Sequence, residues 1–132
     1  MIYFDPINII EMSEELIREF GGTFGLKHPS QIDYTANCIS QKVCGEELYP
    51  TIEDKAAAYL FQLCTSHPFL DGNKRIAAAS AHTFLLLNGH DLDATPDEFY
   101  DMVMGVAAGE LGRKDVVEFF ASHITSLGDP HK

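Results

Sequence analysis

Apolar residues along the chain recur at helical spacing and are interrupted at short intervals by turn residues, a pattern that predicts a bundle of about six helices. Asp5 followed by Pro6 reads as an N-cap with proline at the first helical position. It opens a helix with Ile9, Ile10, Leu16, Ile17 and Phe20 on its apolar face, stopping at Gly21-Gly22. A second helix is expected from Pro29-Ser30, carrying Ile32, Ala36, Ile39 and Val43 until Gly45 ends it. Glu46-Glu47-Leu48-Tyr49-Pro50 then forms a loop or a short hairpin flap near residues 45–50. Thr51 with Asp54 resembles a capping box with a shorter acid, opening a buried helix to about Ser66 along Ala56, Leu60, Leu63 and Cys64. After the loop 67–72, the stretch from Asn73 to Asn88 is almost free of charge beyond its first turn and closes on Gly89, as a central helix should. Thr95-Pro96-Asp97-Glu98 combines an N-cap, a first-turn proline and a capping-box glutamate for a helix to about Gly109. A last helix from about Arg113 to Thr125 carries Val116, Val117, Phe119, Phe120 and Ile124. The expected fold is all-α, one domain over residues 1–127 with a flexible, frayed tail over 128–132.

At 132 residues the chain suits a single core, and no apolar run approaches the roughly 18 residues of a membrane span. Its first residues lack the basic, apolar and small-residue pattern of a secretory signal, so the expected location is cytoplasmic. Cys38, Cys44 and Cys64 are odd in number and lack Cys-x-x-Cys spacing, which argues for reduced thiols over a disulfide framework or zinc site. A net charge of −11 with nine scattered Lys and Arg residues argues against direct nucleic-acid binding. Lys74 and Arg75 stand side by side ahead of an uncharged run, a positive spot suited to an anion.

The same two cations belong to the stretch His67-Pro68-Phe69-Leu70-Asp71-Gly72-Asn73-Lys74-Arg75, which joins the end of one buried helix to the start of another. First-turn amides lack helical partners and sit at the positive end of the helix dipole, so they form an anion site. Gly72 lets the backbone approach a phosphate, and Lys74 and Arg75 add charge, the arginine with two parallel hydrogen bonds. Asp71 suits Mg²⁺, which takes one or two carboxylates with phosphate oxygens and water. Histidine, whose unperturbed pKa is about 6.5, is the natural general base for a hydroxyl nucleophile, and His67 is the candidate. Each residue also has a plain alternative. His67 continues the apolar stripe as a core histidine, Asp71 caps the next helix, and Lys74 and Arg75 form a solvated first turn. Cations at a helix N-terminus are electrostatically unfavourable, and that mismatch favours function.

These nine residues resemble the signature His-x-Phe-x-Asp-Gly/Ala-Asn-Lys-Arg of the death-on-curing (Doc) branch of the Fic/Doc family, with a looser likeness over most of the chain. The resemblance implies an all-helical fold of Fic/Doc type, ATP and Mg²⁺, and a Ser or Thr hydroxyl of a target protein as acceptor. It implies His67 as the base, Asp71 as the metal ligand, Gly72 and Asn73 as shapers of the anion hole, and Arg75 as a phosphate ligand, with Phe69 as a core anchor. Lys74 stands where AMP-transferring Fic proteins carry a second glycine, and Ala78 where they carry a second arginine. Both departures match Doc, where the γ-phosphate takes the anion hole, so a toxin acting as a protein kinase is expected, with AMP transfer the alternative. Family members are often restrained by a helix with Ser/Thr-x-x-x-Glu-Gly/Asn, but no glutamate here precedes Gly or Asn, so a separate antitoxin is expected. The resemblance suggests a translation factor such as elongation factor Tu as the target.

Three other readings compete. His90-Asp91 resembles the metal pair of HD-domain phosphohydrolases, but it follows a helix-ending glycine and lies outside any helix. Asp91-Leu92-Asp93-Ala94-Thr95 matches the Asp-x-Asp-x-Thr of haloacid-dehalogenase-type phosphatases, whose α/β sheet this chain has no room for, and Thr95 is better explained as a helix cap. A non-catalytic Doc-like binding subunit or corepressor is the third, and the intact motif argues against it.

Overall fold

A computed structural model describes residues 1–127. Six helices carry the fold: α1 (Pro6–Phe20), α2 (Pro29–Cys38), α3 (Ile52–Ser66), α4 (Asn73–Leu87), α5 (Pro96–Ala107) and α6 (Arg113–His123). Two antiparallel ribbons are added, β1 (Lys42–Val43) with β2 (Glu46–Glu47), and β3 (His90–Leu92) with β4 (Ile124–Ser126). The all-α Fic/Doc-type architecture is therefore present. The expected tail at 128–132 lies outside the described residues. No helix among the described residues is long and apolar enough to cross a membrane.

Helix starts follow the capping chemistry. Asp5 Oδ1 accepts the Asn8 N–H at 2.8 Å and Asn8 returns the bond to the Asp5 N–H. Thr51 and Asp54, like Thr95 and Glu98, form reciprocal boxes. The core lies on α3, which packs against α2, α4, α5 and α6. Ala56, Ala57 and Ala58 are fully buried there, and small side chains let neighbouring helices approach closely. Beside them Tyr59 meets Phe84 at 5.1 Å and Phe4 at 5.3 Å between ring centroids, and its hydroxyl accepts the Phe4 N–H. Burial pushes the Tyr59 phenol up to about 12. Phe99, Phe119 and Phe120 form a second aromatic group between α5 and α6.

Two element ends depart from the pattern reading. The second helix stops at Cys38, and Val43 lies in β1 paired with Glu46 instead of on a helical face. Cys44 and Gly45, both at positive φ (53° and 82°), form the two-residue turn of a hairpin, so Gly45 is a turn residue instead of a helix cap. The flap thus spans residues 42–47, earlier than the 45–50 expected. The last helix stops at His123, and Ile124 and Thr125 pair with Leu92 and Asp91. These β-branched residues fit a strand, and the partner lies too far away in sequence for local periodicity to register it.

A buried ammonium ties the flap to α3. Lys55 is 1% exposed, and its Nζ donates to Glu47 Oε1 at 3.2 Å and to the Tyr49 carbonyl. Arg113 lies over the Tyr49 ring at 5.5 Å, and the Tyr49 hydroxyl accepts from Gln62. Breaking a buried pair by deleting the anion leaves the cation uncompensated. Glu47→Ala is therefore expected to cost about 2 kcal/mol in urea unfolding. Lys55→Met costs less, because the half-exposed Glu47 returns to water, and the reverse order would overturn this account.

Candidate functional site

The motif is a short strap between two helices, with Pro68 and Phe69 buried at its centre. At the end of α3, His67 takes a left-handed conformation (φ 49°), and Pro68 prevents any further helical turn. A non-glycine residue there costs about 1 kcal/mol and persists only where surrounding structure holds it. The holding groups are plain. Phe69 is buried at 1% exposure, and the Asn73 side chain grips its backbone, Oδ1 accepting the Phe69 N–H and Nδ2 donating to the Phe69 carbonyl, both at 3.0 Å. The N–H groups of Lys27 and His28 donate to the Pro68 carbonyl, and the Leu70 N–H donates to Gly25, so residues 25–28 clamp the strap from outside. His67 itself is exposed, which removes the core-histidine alternative.

The next helix begins bare. Gly72, at φ 75°, is the N-cap of α4 and offers no side chain, while the amides of Asn73, Lys74 and Arg75 have no protein acceptor among the described residues. Asp71 does not cap them. Its Oδ1 accepts the adjacent Gly72 N–H at 2.9 Å and its Oδ2 the Thr23 N–H at 3.4 Å, leaving the carboxylate exposed. Gly22 lies close enough to Asp71 that a Cβ there would stand 2.7 Å from Oδ2. Lys74 and Arg75 are exposed and have no carboxylate partner among the described residues. Arg75 instead stacks on Phe20 at 5.0 Å, at the end of α1. Burial raises the Cys64 thiol, and the nearby Lys74 charge lowers it in part.

His67, Asp71, Gly72, Asn73, Lys74 and Arg75 all line one cleft of about 990 Å³ between α4 and α5. The structure thus brings together the motif's candidate base, metal ligand and phosphate-binding residues, while Phe69 lies in the core. Asn73 differs in detail, since its amide is occupied by Phe69, so only its backbone N–H is free for an anion. The cleft continues along α4 past Ala78 and Ala79 to His82, opposite Phe99 and Tyr100 of α5. His82 Nε2 lies 2.8 Å from Asp91 Oδ1, and that hydrogen bond holds the Asp91 carboxyl below its usual range, with the Leu92 N–H adding to it. His90-Asp91 lies on β3, and no group of three metal-ligating side chains occurs among the described residues.

The motif reading missed Gly22 and Thr23, which fix Asp71, and the far end of the cleft. Gly21-Gly22 registered as a helix stop and not as a contact of Asp71. His82 carried a detectable signal, because Arg75, Ala78, Ala79 and His82 repeat at the three- and four-residue steps of one helical face. Asp91 carried none, since its pairing with His82 depends on how the chain turns after α4.

A sequence model of the Fic/DOC family matches residues 3–85, which include the whole motif. The chain is 30% identical over 118 residues to "Protein kinase doc" of Escherichia phage P1, covering 89% of this chain and 92% of that protein. It is 41% identical over 78 residues to "Toxin Doc" of Mycolicibacterium smegmatis, covering 59% of this chain and 60% of that one. The strap, the bare helix start and these matches together make the chain a member of the Fic/Doc family, on its Doc branch.

Proposed function

We propose that the chain is a Doc-like toxin that transfers a phosphate group from ATP to a serine or threonine hydroxyl of a target protein, and that a separate antitoxin neutralises it in the cytoplasm. A translation factor such as elongation factor Tu is the target class suggested by the family resemblance. The observation that carries the reading is the uncapped start of α4, with unpaired Lys74 and Arg75 in the same cleft as His67. The names of the two relatives, a protein kinase and a toxin, support it.

In this reading the γ-phosphate rests on the amides of Asn73, Lys74 and Arg75, and the Arg75 guanidinium holds two of its oxygens. His67 takes the proton of the acceptor hydroxyl as its oxygen bonds to phosphorus. The bond from phosphorus to the bridging oxygen breaks, and ADP leaves with that electron pair. Lys74 offsets charge on the phosphate chain. Asp71 is an exposed carboxylate, and no group of three metal-ligating side chains occurs among the described residues, which fits Mg²⁺ held together with phosphate oxygens and water better than an all-protein metal cage. Such a cation supplies charge neutralisation to the phosphates. Ala78 presents only a methyl group to the cleft, so no second arginine is available for another phosphate, which favours phosphate over AMP transfer.

Incubation with target protein and ATP labelled at either the γ or the α position is expected to move only the γ label, and α label on the product would instead establish AMP transfer. His67→Ala is expected to lower transfer by about 10²–10⁴-fold and to abolish growth arrest on expression alone, with antitoxin binding intact. Growth arrest that survives this change would favour a non-catalytic binding subunit. Gly22→Ala places a methyl group against Asp71 at a positive-φ position (113°), so it is expected to raise the Mg²⁺ concentration needed for half-maximal transfer while the fold remains cooperative in thermal melting.

A further inference from the structure

The proposed transfer step leaves the far end of the cleft without a role, and that end has its own polar group. His82 lies seven residues beyond Arg75 on the same face of α4, about 10 Å further along the helix axis. Between them Ala78 and Ala79 keep the helix surface low, so an extended ligand can lie along it. α5 packs against α4, with Phe99 beside His82 at 6.4 Å between ring centroids, while Leu92 and Pro96 complete an apolar wall.

The imidazole is fixed at one nitrogen. Its Nε2 bonds to Asp91 Oδ1, and the same oxygen accepts the Leu92 N–H at 2.7 Å. Pairing of β3 with β4, with Asp91 opposite Thr125, holds the carboxylate in place. An ionised carboxylate only accepts, so Nε2 carries the hydrogen, and in the neutral imidazole Nδ1 is then an acceptor, with no protein donor among the described residues. A half-exposed acceptor of fixed tautomer beside an apolar wall, about 10 Å from an anion site, matches a nucleoside carried on a phosphate chain.

We propose that His82 is a nucleotide-specificity residue: its Nδ1 accepts a hydrogen bond from a ribose hydroxyl of the bound triphosphate, and Asp91 is the positioning residue that fixes the tautomer. The proposal rests on reading the motif end of the cleft as the phosphate site.

Calorimetric titration of the intact chain with a non-hydrolysable ATP analogue and its 2′-deoxy and 3′-deoxy counterparts tests it. The ribose form is expected to bind about fivefold more tightly than at least one deoxy form. His82→Ala binds all three alike at the weaker affinity, and Asp91→Asn loses part of the discrimination. Nitrogen NMR of the wild-type imidazole is expected to place the hydrogen on Nε2 and to show the Nδ1 resonance moving when the ribose form binds, a signal independent of how the variants fold. Equal binding of all forms by wild type, or discrimination that survives His82→Ala, overturns the proposal. So does a penalty confined to an analogue lacking the adenine amino group. Inorganic triphosphate separates the underlying reading: its binding is expected to fall in Arg75→Ala and to be unchanged in His82→Ala. Loss of the first effect overturns the phosphate site itself, whereas retention of both effects without ribose discrimination overturns only the role of His82.

Discussion

The geometry of the cleft depends on one side chain gripping one buried residue. Asn73 satisfies both backbone groups of Phe69, whose ring is sealed in the core, and so closes the strap between α3 and α4 into a ring. Without it, two polar backbone groups would be stranded beside the core, each costing about 1–3 kcal/mol. This grip sets the position of the left-handed His67 on one side and the start of α4 on the other. Asp71, between them, is aimed by the Gly72 and Thr23 amides, and therefore by the return of the chain after α1. Positions that look contiguous in sequence are thus set by two separate parts of the fold.

Stability and chemistry pull in opposite directions at the start of α4. α1, α3 and α5 each begin with a reciprocal capping box, and α6 begins with Asp115 accepting the Gly112 N–H. A side-chain cap is worth about 1 kcal/mol, and cations in a first turn reduce helix stability further. α4 lacks a side-chain cap and carries two such cations. Its stability comes from burial instead: Ile76, Ala77, Ala81, Phe84 and Leu85 are enclosed, largely against α3. A helix held by its far turns can leave its first turn open to a ligand. Phe20 supports the arrangement by receiving the Arg75 guanidinium on its ring, which steers the charge without neutralising it.

Local chemistry made most of this fold legible. Caps at Asp5, Thr51 and Thr95 mark helix starts because each bond spans only three residues. The motif marks the candidate site because its open first-turn amides, glycine and cations are consecutive. What the pattern could not carry depends on distant pairing. Val43 sits four residues after Ile39 and so imitates a helical face, yet its partner is Glu46 across a turn. Ile124 continues the apolar face of α6 in sequence, yet Leu92 claims it for a ribbon. Lys55 was unreadable as a buried charge, since it follows Glu53 and Asp54 in the first turn of a helix and only the folded flap supplies its carboxylate and carbonyl.

In the proposed reading, charge gives the same site its selectivity. A chain of net charge −11 repels polyanions from most of its surface, but at physiological salt that repulsion fades over about 8 Å. Within this distance of the α4 start, attraction comes from unpaired Lys74 and Arg75 and from amides whose partial charges are fixed by the helix. A ligand with one compact cluster of anionic oxygens can place all of them inside this region, whereas a long polyanion must lay the rest of its charge across the acidic surface. In the proposed reading, short phosphate chains therefore suit the cleft better than nucleic-acid backbones do. The acidic surface acts as a filter, and the bare helix start is the place where it is lifted.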